Sequence, residues 1–409
     1  MFQRGIWSPF SKVMGYKLTP AGRFAVLVMF VSAGGAVSVQ VPIYYVFCFL
    51  ASVLFLVEMV GMIARPRLRT QVHLADHSVA GESMRGSVTL TNIGRWPAFD
   101  VMCSLYGLPE GMRHTNAEDM IAVIPPGESA TLPIVIDTSR RGVYAMPPLR
   151  PHSTFPFNMM RFGRETVEMA AVHVRPAFHP IESMDLPASS KHQPGGVLIE
   201  GRVGASDEYV GNREYTFGQP AHRLDFRAWA RLGKPVVREY QDEFCTRIAL
   251  VLDTHVATKR WKSRNRDSFE AAVKLTASLA DGLQSQESVL DLFAAGPELY
   301  VFRTTTSVMN FEKVLDLLAA VEPAHKSAFA ELSPAVTLQL ESVSTMLCVF
   351  LDWDSTRSSF VESVRHAGCE LRVLLVRDEQ PTTIPFPEDG FELQRLSPSA
   401  IHAGEVLHL

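Results

Sequence analysis

Between Phe24 and Val57 the chain carries no Asp, Glu, Lys or Arg. As a single helix that run would be roughly 50 Å long at ~1.5 Å per residue. The hydrocarbon core of a bilayer is only about 30 Å thick, so the run is too long for one straight crossing and long enough for two. Gln40, Val41 and Pro42 break it near the middle, because proline withholds the helical N–H and crowds the preceding turn. Two transmembrane helices are therefore expected, over 22–39 and 42–64, with Tyr44 and Tyr45 where interfacial aromatics sit. Arg4, Lys12, Lys17 and Arg23 precede the first helix, Arg65, Arg67 and Arg69 follow the second, and the turn between them is uncharged. The positive-inside rule then puts both ends and the soluble remainder in the cytoplasm, as in a multi-pass inner-membrane protein. A signal peptide would show one shorter apolar region and a small-residue cleavage site instead of a second span. Glu58, near the end of the second helix, is expected at the interface or paired with a neighbouring helix.

Outside this run the composition is that of a globular protein. A net charge of -4 and a pI near 6.4 argue against a dedicated nucleic-acid binder, which usually carries a strongly basic face. Cys48, Cys103, Cys245, Cys348 and Cys369 are scattered without a CxxC pair. That spacing suits neither a disulfide framework nor a zinc site, and it fits a reducing compartment.

After an anchor over residues 1–69, the period changes to two. Ser87-Val88-Thr89-Leu90-Thr91 alternates, as do Phe99, Val101, Cys103 and Leu105, and Leu132, Ile134 and Ile136. Such alternation puts apolar side chains on one face of a strand. Turn signals at Asn92-Ile93-Gly94, Pro109-Glu110-Gly111 and Pro125-Pro126-Gly127 separate the strands. An antiparallel sandwich of immunoglobulin-like type is expected over residues 70–180. His73, His77, His114, His152 and His173 lack ligand spacing.

Residues 181–245 contain the most unusual stretch. Glu208-Tyr209, Arg213-Glu214-Tyr215, Arg223, Asp225-Phe226, Trp229-Ala230-Arg231, Lys234 and Arg238-Glu239-Tyr240 alternate charges at close spacing between aromatic rings. Arg–carboxylate forks beside rings on which guanidinium groups stack either fix a segment in place or present a recognition surface. The near balance of acid and base argues against a nucleic-acid patch.

At these residues the chain resembles domain-of-unknown-function family 58, through Glu208-Tyr209, Gly211, Arg213-Glu214-Tyr215, Gly218, Arg223, Asp225-Phe226 and Ala230-Arg231. It departs from the family pattern in Tyr209 for Phe, Gln219 for Asp and Phe226 for Trp. The resemblance implies paired N-terminal spans, a β domain, the signature and then a von Willebrand factor A-like region. It also implies a MoxR-type AAA+ ATPase as protein partner.

The C-terminal 246–409 reads as α/β from its own residues. Ile248–Leu252 is an apolar run suited to a buried parallel strand. Asp267-Ser268-Phe269-Glu270 has the form of a capping box, and Phe269, Val273, Thr276, Ala280 and Leu283 recur at helical spacing. Strand-like runs at 289–293, 299–303, 346–351 and 371–376 alternate with helical patterns at 311–321, 329–340 and 356–366. A mostly parallel sheet covered on both faces is expected, with any ligand beyond the carboxyl ends of its strands. There a von Willebrand A-like domain would hold magnesium on an Asp-x-Ser-x-Ser motif. This chain has Asp253-Thr254-His255-Val256-Ala257, so His255 and Ala257 stand in place of both serines. Asp253, Asp352 and Asp354 remain as a degenerate metal-ligand set, with Lys326-Ser327 near the place of the family's Thr. Neither a bound magnesium nor any other cofactor is expected.

No P-loop, dinucleotide-binding glycine fingerprint, nucleophile elbow or HExxH is present. The expected function is therefore a non-enzymatic, membrane-anchored protein-interaction module with no catalytic residues. Its alternatives are a metal-dependent hydrolase around Asp253, His255, Asp352 and Asp354, and a purely structural envelope component.

Overall fold

The computed structural model describes residues 13–35, 42–185, 209–216, 224–240, 247–256, 263–285, 289–295, 299–303, 311–324, 329, 333–334, 336, 340, 343–384 and 391–409. The chain divides into two compact units, Met1–Ala177 and Phe178–Leu409.

Two apolar helices, α1 (Pro20–Gly35) and α2 (Pro42–Ile63), open the first unit. The 22 residues of α2 make it long and apolar enough to cross a membrane, and Phe49, Phe55 and Ile63 on it are exposed. Helix α1 carries no charge beyond its first turn, but its 16 residues span only about 24 Å, short of a full hydrocarbon core. The expected extension of α1 to residue 39 lies outside the described residues. Glu58, the carboxylate in α2, is ion-paired with Lys17 in the π-helical turn Val13–Lys17.

A loop of the β domain grips the base of these helices. Thr19 N–H donates to Met159 O at 3.1 Å and Arg161 N–H to Lys17 O at 2.8 Å, while Arg161 Nη1 donates to Leu18 O at 2.8 Å. Two glycines permit this closeness. A Cβ on Gly22 would overlap the Met159 carbonyl, and one on Gly61 would overlap the ring of Phe162.

The β domain follows as β1 (Leu68–Leu74), β2 (His77–Val79), β3 (Ser83–Asn92), β4 (Ala98–Leu105), β5 (Met112–His114), β6 (Met120–Ile124), β7 (Ser129–Thr138), β8 (Gly142–Tyr144), β9 (Leu149–Ser153) and β10 (Val172–Arg175). They form three sheets ordered β1-β3-β7-β5, β6-β4-β9 and β2-β10-β8. Every pair is antiparallel except β2 with β10. The period-two residues enter the core with one exception: Phe99 stays outside it, because Asp100 takes a positive φ and breaks the alternation of β4, so that Ala98 is the buried residue before Val101. Val88 and Leu90, Val101, Cys103 and Leu105, and Leu132, Ile134 and Ile136 all enter one core with Leu149 and Val174, a burial worth about 25 cal/mol per Å² of apolar surface.

In the second unit, β11 (Tyr209–Glu214) pairs antiparallel with β12 (Val236–Tyr240), and helix α3 (Phe226–Leu232) lies between them in the chain. A six-stranded sheet then uses β13 (Arg247–Leu252), β14 (Val289–Ala295), β15 (Leu299–Arg303), β16 (Thr345–Phe350), β17 (Glu370–Val376) and β18 (Glu392–Leu396). Its order is β15-β14-β13-β16-β17-β18, all parallel except the edge strand β15. Its helices that fall fully within the described residues are α4 (Ser263–Ser285), α5 (Phe311–Ala320), α6 (Ser355–His366) and α7 (Pro398–Ala403).

Alternate residues of β13 serve opposite faces. Ile248, Leu250 and Leu252 pack with Phe269, Val273 and Leu283 of α4, whereas Ala249 and Val251 pack with Phe350, Phe360 and Val364. Two-sided burial explains why the strands read as unbroken apolar runs. One expectation is corrected: α4 begins at Ser263, so Asp267 and Ser268 lie inside the helix and not at its cap. The polar turn that opens α4 has no apolar periodicity to mark it. The helical pattern expected at 329–340 lies for the most part outside the described residues. Strand β18 and helix α7 are additions that their short, mixed sequences did not announce.

Candidate functional site

The signature segment separates into residues that build and residues that are displayed. Asp225 is the N-cap of α3, its carboxylate accepting from the N–H groups of Arg227 and Ala228 at 3.0 Å each. The same carboxylate pairs with Arg238 Nε of β12 at 3.2 Å. These bonds hold the Asp225 carboxyl below the usual carboxylate range: the Ala228 N–H leads, and it outweighs the opposing effect of burial. Asp225 N–H donates to Val236 O, which ties the start of α3 to β12, and Gly233 closes the helix in the left-handed conformation. Lys234 reaches Glu214 of β11 at 3.2 Å.

The other half faces solvent. Phe226, Trp229 and Leu232 are 67%, 38% and 52% exposed, at i, i+3 and i+6 on one short helix, and the Phe226 and Trp229 rings stack with centroids 6.1 Å apart. Arg227, Ala230 and Arg231 beside them are exposed too. Arg213, Glu214 and Tyr215 follow one another at the end of β11, Arg213 and Glu214 exposed, and Glu239 lies opposite Gly211 in the β11–β12 pairing. Glu208 and Arg223 lie outside the described residues. The i, i+3 aromatic spacing was visible in the sequence. Which of the two roles each residue takes, building or display, depends on the packing of α3 against β12 and is not written in the spacing.

The second candidate is the carboxyl edge of the six-stranded sheet. Asp253 follows β13, while Asp352 and Asp354 follow β16. Asp253 is fully buried, and four N–H groups converge on it. His255 N–H donates to Oδ1 at 2.9 Å. Oδ2 accepts from Leu351 N–H at 3.0 Å and from Arg357 Nε and Nη2 at 2.8 and 2.6 Å. Arg357, in the first turn of α6, is itself only 2% exposed, pairs with Asp354 at 2.6 Å and lies over the Phe329 ring at 5.4 Å. Burial alone would lower the Arg357 guanidinium, but the Asp253 charge beside it more than offsets this and holds it above its ordinary value.

Asp354 also caps α6, accepting from Arg357 N–H at 3.0 Å. Asp352 turns elsewhere, to Thr382 N–H at 2.9 Å, Thr382 Oγ1 at 2.6 Å and an ion pair with Arg377. Burial pushes the Asp352 carboxyl up, and the Thr382 and Arg377 donors outweigh it and leave it lowered. Burial keeps the half-buried His255 below the usual imidazole range. Thr254 is buried, with no partner for its hydroxyl among the described residues. Lys326 and Ser327 lie outside them.

The three aspartates thus face the same edge without sharing a vacancy. A guanidinium sits on Asp253 where a cation would have to bind, and among the described residues no group of three His, Cys, Asp or Glu side chains is placed to hold a metal ion. The sequence carried one sign of Arg357. A basic residue in the first turn of a helix opposes the macrodipole, so it calls for a carboxylate partner nearby.

Residues 211–394 match the family model described as protein of unknown function DUF58. No curated protein matches the chain. Among solved structures, native Escherichia coli alpha-2-macroglobulin is 15% identical over 27% of this chain and 7% of its own length, with a TM-score of 0.20. A part of that protein running from domain MG7 to the C-terminus is 15% identical over 28% and 17%, with a TM-score of 0.20. The CARDB domain of a Pyrococcus furiosus protein is 13% identical over 27% and 94%, with a TM-score of 0.17. The chain therefore covers a small fraction of the macroglobulin chains it matches.

Proposed function

Because the chain belongs, over residues 211–394, to the DUF58 family, we propose that it is a membrane-anchored protein-interaction module without catalytic activity, and that its partner is a MoxR-type AAA+ ATPase. In this reading α1 and α2 both enter the bilayer as a hairpin, with α1 completed by residues up to 39, and both soluble domains face the cytoplasm. The β domain is an immunoglobulin-like sandwich, and the C-terminal sheet is a von Willebrand A-like domain whose metal site is replaced by the Arg357 ion pair.

The observation that carries the proposal is the displayed face of α3. A stacked Phe226–Trp229 pair with Leu232 is left in water on a helix whose cap, C-terminal turn and strand contacts are all fixed by the neighbouring signature residues. Exposed aromatics rimmed by arginines on a rigid element are the usual anchors of a protein interface. The partner surface would be an apolar hollow with an acidic rim, facing Arg227 and Arg231. The spent carboxylates of the sheet edge support binding over hydrolysis, since Asp253 and Asp354 are held by Arg357 and Asp352 by Arg377.

The test is copurification of full-length protein in mild detergent with the co-expressed ATPase. Phe226→Ser/Trp229→Ser should abolish capture with the melting temperature kept within about 2 °C, since exposed substitutions change stability by only a few tenths of a kcal/mol. Undiminished capture by the double variant would remove α3 as the docking element. Metal-dependent hydrolysis lost in Asp253→Ala would instead favour a hydrolase.

A further inference from the structure

A cavity of ≈ 460 Å³ lies where α2 ends and the β domain begins. Its lining brings together three stretches that are far apart in sequence: Met62–Arg67, Gly94–Pro97 and Arg164. Four of the lining side chains are arginines, Arg65, Arg67, Arg95 and Arg164, and none is acidic. Arg65 donates to Gly163 O. Arg67, Arg95 and Arg164 are exposed and have no carboxylate partner among the described residues.

Such a gathering of like charge costs energy unless something anionic completes it. The rest of the wall is apolar: Met62 and Ile63 in the last turn of α2 are 60% and 76% exposed, and Trp96 is 79% exposed. A Trp at the end of a membrane-length helix belongs at headgroup depth. A pocket whose lining joins arginine donors to exposed apolar side chains at the end of a membrane-length helix matches a ligand that is itself half phosphate and half hydrocarbon.

We propose that this pocket binds the phosphate headgroup of an anionic phospholipid, with Arg67, Arg95 and Arg164 on the phosphate and Met62, Ile63 and Trp96 against the upper acyl chain. The inference rests on the reading that α2 crosses the bilayer, and it adds a specific lipid site to that anchor. In the sequence Arg65 and Arg67 stand out only as charge flanking the second helix; the fold brings Arg95 and Arg164 beside them.

Full-length protein would be reconstituted in vesicles of phosphatidylcholine with one-fifth phosphatidylglycerol, and the immobilised fraction of spin-labelled phosphatidylglycerol compared with that of spin-labelled phosphatidylcholine. The wild type should prefer phosphatidylglycerol by roughly fivefold, given the strength of arginine–phosphate contacts at a bilayer surface. Arg67→Gln/Arg95→Gln/Arg164→Gln should bring the ratio close to one, and the matching triple lysine variant should restore part of it. An equal ratio in the wild type, or an unchanged one in the glutamine variant, overturns the site while leaving the anchor intact. Chain released from the vesicles by carbonate overturns the anchor and the site together. In vesicles of phosphatidylcholine alone, titration with inorganic phosphate should give no saturable heat. Saturable binding that the glutamine variant loses would assign the pocket to free phosphate and overturn the lipid.

Discussion

Arg357 decides the character of the sheet edge. Its guanidinium and Asp253 are both out of water, and a buried pair of this kind is worth little over an apolar pair of the same shape, whereas breaking it by removing one partner is costly. Arg357→Ala would leave the Asp253 carboxylate buried with only two backbone donors. It should destabilise the second unit by about 3–5 kcal/mol in urea unfolding. The double variant Asp253→Asn/Arg357→Met removes both charges and should recover most of that loss. If Arg357→Ala alone cost under about 1 kcal/mol, the range of exposed pairs, Asp253 would have to be satisfied some other way and the picture of a locked edge would fail. Asp253, Asp352 and Asp354 were all legible as carboxylates at strand ends, because apolar runs ending in Asp locate a sheet edge directly. Their partners were not legible, since which cation meets which carboxylate depends on where α6 and Thr382 lie in space.

At the level of elements, sequence is most informative where one face or one solvent dictates the pattern. The alternation in β3, in β7 and in β4 from Val101 onward, and the unbroken run of β13, needed only the period. The start of α4 and the existence of β18 and α7 were missed because short polar segments take their structure from the sheet beside them. Close approach of helix and loop is likewise invisible in a sequence, and glycine is its one trace. Two glycines of α1, Gly22 and Gly34, make a matched pair for testing this. Gly22 faces the Met159 carbonyl with no room for a Cβ, while a Cβ on Gly34 meets nothing within 4 Å. Gly22→Ala should lower stability by about 1–3 kcal/mol through overpacking against backbone that cannot swing aside. Gly34→Ala should be neutral, or stabilising by up to about 1 kcal/mol through helix propensity. Thermal unfolding in detergent reads both. Equal effects at the two positions would mean that the loop at Met159 does not grip the helix base.

Taken whole, the chain closes its cores separately. The cluster built on Val88, Ile134 and Leu149 belongs to the first unit, and those built on β13 and its neighbours belong to the second. Units with separate cores unfold in separate transitions, and each unit offers its own marker. In the first, His152 is 2% exposed. Burial, helped by the nearby Arg161 charge and opposed by the bond to Arg150 O, lowers its imidazole to about 4. The ordinary value in an unfolded chain is about 6.5, so between those values the unfolded state binds the extra proton. Stability of the first unit should then be full above about pH 6.5 and fall by roughly 3 kcal/mol as the pH drops towards 4, with no further loss from this group below that. His152→Asn, which keeps a donor for Arg150 O, should flatten that part of the acid limb. Calorimetry in detergent should resolve two transitions: His152→Asn changes the pH dependence of one, and Arg357→Ala shifts only the other. A single transition moved by both variants would show that the cores fold as one cooperative body, despite having no buried residue in common.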